Sequence, residues 1–183
     1  MRTVLLALIL TLPLVACPAL AAGPQQPVDK LFQQLKSAET AEDAKPLEAQ
    51  ILASFLASGS PSIDLLMTRA DAALGAGKKD VARHLLDEVT ALAPRYAEGW
   101  HRRALMQQDA GDDGAAMASL QKAVELNPRH FAAMTQLGEM LEDFGQKEEA
   151  LKLYRRAIAL DPLFEGLQRH IDGLSRAVEG QGI

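Results

Sequence analysis

Three prolines, Pro94, Pro128 and Pro162, recur at intervals of 34 residues, and each is preceded two residues earlier by a leucine: Leu92, Leu126 and Leu160. A fixed period of this length means that one supersecondary unit is repeated and stacked, because a single unit cannot bury its own apolar face. Aligning on the prolines gives the windows 63–96, 97–130 and 131–164. Ala82, Ala116 and Ala150 then share one position; Leu86, Leu120 and Tyr154 share the position four later, and Val89, Ala123 and Ala157 the one three further on. Residues at these offsets lie on one face of a helix, and an alanine among larger residues lets two helices approach closely. Gly77, Gly111 and Gly145 also align, between two helix-like stretches, where a residue of positive φ can end the first helix. Each proline stops a second helix and opens the next unit.

Composition agrees with a helical reading. Apolar residues make up 48% of the 183 and aromatics only 4%, with Ala and Leu dominant, which favours closely packed helices over sheet. The net charge is −5 and there is no block of Lys and Arg, so nucleic acid is not an expected partner.

The 34-residue unit resembles the tetratricopeptide repeat family, whose first helix carries the pattern W-x2-L-G-x2-Y. Trp100 stands at the tryptophan position of the second window, and Leu137-Gly138 match the L-G pair of the third. The first window departs from the pattern with Leu66 and Arg69-Ala70, and the second with Arg103-Ala104 and Gln107. The resemblance covers 102 of the 183 residues. It implies an all-α, right-handed solenoid of stacked antiparallel helix pairs that binds a protein or peptide and catalyses nothing.

The flanks read as helices too. Val28–Ala38 and Ala41–Ala57 form a pair within residues 22–62, read as a degenerate repeat or an N-terminal cap. Leu163–Val178, in the segment 165–183, reads as a capping helix with Leu167, Ile171, Leu174 and Val178 on one stripe. Before them, Arg2, the apolar run Val4–Ala16 and the small residues Ala19-Leu20-Ala21 describe a secretory signal peptide over residues 1–21, so the expected location is the periplasm. The run is shorter than the ~20 residues of a membrane span, and Pro13 interrupts it. Leu14-Val15-Ala16-Cys17 also resembles a lipobox, so acylation of Cys17 and a membrane-anchored lipoprotein is the alternative. A membrane partner is expected only in that case or if the signal stays uncleaved.

The sequence holds no G-x-S-x-G, no phosphate-binding glycine loop, no H-E-x-x-H and no C-x-x-C. One cysteine and four scattered histidines, His84, His101, His130 and His170, suggest no metal or cofactor site; the histidines read as surface or half-buried helical residues. No small-molecule substrate is expected either.

In the family the first helix of each pair lines a concave groove, and positions 2, 5, 9, 12 and 13 of each window face it. The resemblance places there Asp64, Met67, Asp71, Leu74 and Gly75; Glu98, His101, Leu105, Gln108 and Asp109; and Ala132, Thr135, Glu139, Glu142 and Asp143. Seven of these fifteen are acidic and none is Lys or Arg, whereas roughly two acids would be expected by chance. The second helices carry Lys78, Lys79, Arg83, Lys122, Lys147, Lys152, Arg155 and Arg156. The expected partner is therefore a basic or amphipathic segment held by Asp64, Met67, Asp71, Glu98, His101, Leu105, Asp109, Thr135, Glu139 and Glu142. The Lys and Asn with which some members hold an acidic C-terminal peptide are absent from these positions.

Overall fold

The computed structural model describes residues 25–180; the segment read as a signal peptide, its expected cleavage site and Cys17 lie outside them. The described residues form an all-α solenoid of nine helices: α1 (Gln25–Lys36), α2 (Ala41–Phe55), α3 (Pro61–Gly75), α4 (Lys79–Leu92), α5 (Ala97–Asp109), α6 (Asp113–Leu126), α7 (Phe131–Asp143), α8 (Lys147–Leu160) and α9 (Leu167–Glu179). Consecutive helices pair as α3–α4, α5–α6 and α7–α8, and each pair stacks on the next.

The aligned residues build the stack. Ala82, Ala116 and Ala150 are fully buried, as are Leu86, Leu120 and Tyr154 beside them and Val89, Ala123 and Ala157 beyond. Gly77, Gly111 and Gly145 each take a φ of 70 to 77° and reverse the chain between the two helices of a pair. Gly138 does something different. A Cβ there would stand 2.5 Å from the Tyr154 ring, so the L-G pair of the third window exists to let α8's tyrosine lie against α7.

The α1–α2 pair does not stack on α3. Its buried residues Phe32, Leu35, Ala44 and Ile51 join one core with repeats two and three and with α9, whereas α3 and α4 hold a separate cluster of Ile63, Met67, Ala70, Ala82, Leu86 and Val89. The pair runs along the edge of the stack where the turns between repeats emerge. At the first turn the Tyr96 hydroxyl donates to the Leu56 carbonyl at 2.8 Å. At the second, Phe32 packs edge-on against Phe131, Phe55 packs on His130, and Arg129 lies over the Phe32 ring and pairs with Asp29. At the third, Lys45 pairs with Glu165 at 3.5 Å.

The last helix starts at Leu167, four residues later than the expected span Leu163–Val178. The Asp161 carboxylate accepts the Leu163 N–H at 3.2 Å, and Gly166 enters α9 with a φ of 78°. Leu163 and Phe164 are thereby turn residues, and Phe164 packs edge-on against Phe131.

Candidate partner-binding face

The residues expected to line a groove do not share one environment. Met67, Glu98 and Thr135 are buried, so they offer a partner no surface. The Thr135 hydroxyl is spent on the Phe131 carbonyl, at 3.0 Å. Asp64 accepts the Ser58 N–H and hydroxyl at 2.9 and 2.6 Å, which lowers its pKa and ties down the α2–α3 linker. Asp71 pairs with Arg102 at 3.1 Å and Asp109 with Lys79 at 2.8 Å. His101 and Leu105 are half-buried, while Glu139 is exposed and Glu142 half-buried.

Glu98 is the centre of a buried network. Its Oε2 meets His130 Nε2 at 2.9 Å and His101 Nδ1 at 3.3 Å, and its Oε1 accepts Arg102 Nε at 2.7 Å. His101 Nε2 lies 3.0 Å from the Gln136 amide oxygen. Burial pushes the Glu98 carboxyl up, but the hydrogen bonds from His101, His130 and Arg102 outweigh it and hold the group far below the ordinary glutamate range. Burial lowers His130, against the opposing pull of Glu98.

Two histidines and a glutamate with ligand atoms within 4.8 Å of one another raise the question of a metal. The donor set does not suit one. His130 Nδ1 accepts the Ala133 N–H at 3.2 Å, capping α7, so the proton of the neutral ring is on Nε2 and points at Glu98. A cation on Nε2 would need that proton moved to Nδ1, where it would face another N–H. The Arg102 guanidinium already supplies the positive charge at Glu98. Sequence spacing missed this cluster because His130 reaches it from a turn, 32 residues after Glu98, and the expectation of surface or half-buried histidines is corrected for this fully buried residue.

At the other end of the same face, α7, Tyr154 of α8, the α8–α9 turn and α9 line an open cavity of about 360 Å³. Glu139, Glu142, Asp143 and Glu165 supply four carboxylates, Tyr154, Phe164 and Leu167 an apolar wall, and His170 the one nitrogen base in its lining. Glu142 is engaged by His170 Nε2 at 2.7 Å and by the Tyr154 hydroxyl at 3.3 Å. Glu139 and Asp143 have no cationic partner among the described residues. Burial raises the Glu139 pKa, and the neighbouring Asp143 and Glu142 charges add to the effect against His170. His170 comes from the capping helix, which no repeat position could reveal.

Comparison with known proteins agrees with this architecture. The sequence profile of the tetratricopeptide repeat matches residues 67–126 and again 104–163, together more than half of the chain. A TPR repeat-containing protein of Rhizobium etli is 34% identical over 106 residues, which are 58% of this chain and 52% of that protein. The chain thus spans about half the length of the curated relative it matches. Among solved structures, the first TPR of Spaghetti (RPAP3) bound to the HSP90 peptide SRMEEVD superposes with a TM-score of 0.57 at 21% identity, covering 64% of this chain and 93% of that one. The Yersinia enterocolitica type III secretion chaperone SycD, in complex with a peptide of the translocator YopD, does so with a TM-score of 0.57 at 17% identity, covering 68% and 97%. Both likenesses concern the fold. The chain belongs to the tetratricopeptide repeat family, whose fold generally mediates the binding of proteins and peptides.

Proposed function

We propose that this protein is an exported scaffold that holds a cationic or amphipathic segment of a partner protein at the C-terminal end of its first-helix face. The observation that carries the reading is the cavity between α7, α8 and α9, where Glu139 and Asp143 stand without a cation among the described residues beside an apolar wall of Tyr154, Phe164 and Leu167. A lysine or arginine side chain suits such a place, because its stem can lie on the aromatic wall while its head meets the carboxylates. A concave surface of one sign focuses its field and raises the association rate, an effect that falls with salt. Two peptide-bound structures of similar fold, the RPAP3 and SycD complexes, support the general mode. The RPAP3 peptide carries acids, whereas the carboxylates here suit the opposite charge.

A peptide array of short amphipathic sequences, varied in their Lys and Arg content, tests the reading. Binding that follows the basic residues and weakens with salt is the expected outcome; preference for acidic peptides would overturn it. Export rests on residues 1–21, and Leu14-Val15-Ala16-Cys17 supports a second reading, a lipid-anchored envelope assembly factor. Mass spectrometry of the mature N-terminus separates them: a free Ala22 for the soluble periplasmic form, an acylated Cys17 for the anchored one.

A further inference from the structure

Two acids meet where the α1–α2 pair reaches the third inter-repeat turn. Asp161, the cap residue that follows α8, is fully buried. One carboxylate oxygen accepts the Leu163 N–H, and the other, Oδ2, receives no donor among the described residues. The carboxyl group of Glu48, half-buried on α2, meets the Asp161 carboxyl side chain to side chain. Two ionised carboxylates offer each other only acceptors, and an unsatisfied buried oxygen is costly. A single proton turns the same contact into a strong O–H···O⁻ bond.

We propose that Glu48 and Asp161 share a proton, and that this proton fastens the α1–α2 strap to the third repeat, making the strap's docking sensitive to pH. Glu48 is the donor: burial, and after it the charge of Asp161, push its pKa up to about 7. Asp161 is raised by burial but drawn back by the Leu163 N–H and by the Glu48 bond, as befits the acceptor. The other charges acting on the pair are Lys45 of α2, which opposes the rise, and Glu165 of the turn, which adds to it, and these two partly cancel in their own ion pair at 3.5 Å. The folded value lies above the unfolded one of about 4.3. The contribution to docking is therefore complete below pH ~4.3 and is lost as pH rises through 7. Undocking uncovers Leu35 and Ile51, now wholly buried, and the Phe32 ring with its partner Phe131, so the strap is a proton-held cover over an apolar edge of the stack.

Two measurements test this. Carboxyl-carbon NMR of the wild-type protein should show Glu48 titrating near pH 7 while Asp161 is already charged; a Glu48 that titrates with exposed glutamates overturns the proposal. Hydrogen exchange, corrected for the intrinsic pH dependence, should show α2 losing about tenfold in protection between pH 6 and 8 relative to α6, the loss expected when one proton is released on that scale. Glu48→Gln keeps a donor toward Asp161 and cannot ionise, so its α2 protection should stay level over the same range. Protection of α2 that is flat in the wild type, or that falls equally in Glu48→Gln, overturns the proposal. Should the variant fail to fold, the wild-type titration decides alone.

Discussion

The two ends of the first-helix face use the same residue type for opposite purposes. Toward the N-terminal end, acids are consumed by the fold: Glu98 by His101, His130 and Arg102, Asp71 by the same arginine, Asp109 by Lys79. Toward the C-terminal end, Glu139 and Asp143 border a cavity and have no cation among the described residues. The ends differ in packing as well. The position that holds Gly99 and Ala133, both buried, in repeats two and three holds Leu65 in repeat one, and Leu65 is 51% exposed. The strap packs on the turns of repeats two and three, reaches the turn of repeat one through the Tyr96–Leu56 hydrogen bond, and leaves Leu65 exposed. An acid count along a solenoid thus measures binding capacity only after the charges spent on neighbours are removed.

The largest effect should come from breaking the structural end. Glu98→Ala leaves the buried His130 without its partner and Arg102 with Asp71 alone, and unpairing a buried polar network in this way costs about 3 kcal/mol. A urea midpoint within error of the wild type would contradict the structural role. The network also carries a pH signature. The folded pKa of Glu98 lies below the unfolded one, so its contribution is present above pH ~4.3 and is lost as pH falls toward the folded value. Glu98→Gln should therefore flatten the acid limb of stability against pH, read by urea titrations between pH 3 and 6.

Next comes overpacking at one repeat position in two regions. Ala150→Leu, between α7 and the covered core, should cost ~1–3 kcal/mol. Ala82→Leu, in the smaller cluster of the first repeat, should cost less, because its surroundings can move. Equal losses in calorimetry would mean that the first repeat is as rigid as the third. At the small end, Leu65→Ser should shift stability by no more than ~0.5 kcal/mol, as surface changes do; a larger loss would show that this face is covered.

The repeat register was legible because 34-residue spacing, helix-face offsets and the glycine turns all follow from local geometry. Ala82, Ala116 and Ala150 were placed by that reasoning, and all three are fully buried. The strap was not legible. Nothing in the stripes of α1 and α2 says whether they meet α3 or the turns far along the chain, since both are apolar. The acids at the expected groove positions were counted by position, but their availability depends on groups outside the positions counted. Arg102 stands one residue beyond a groove position, His130 in a turn, and His170 on the capping helix. A per-position reading of a repeat cannot see such partners.

The most direct test of this division is calorimetric titration of one Lys-containing amphipathic peptide, selected on the array, into three forms of the protein. Removing charge at the C-terminal end with Glu139→Gln and Asp143→Asn should weaken binding about tenfold and reduce its salt dependence, two charge-assisted contacts being lost. Removing it at the N-terminal end with Asp71→Asn and Asp109→Asn should leave affinity within about twofold, because those acids are already paired at exposed sites. The opposite ranking, with the N-terminal pair weakening binding and the C-terminal pair not, would contradict the account.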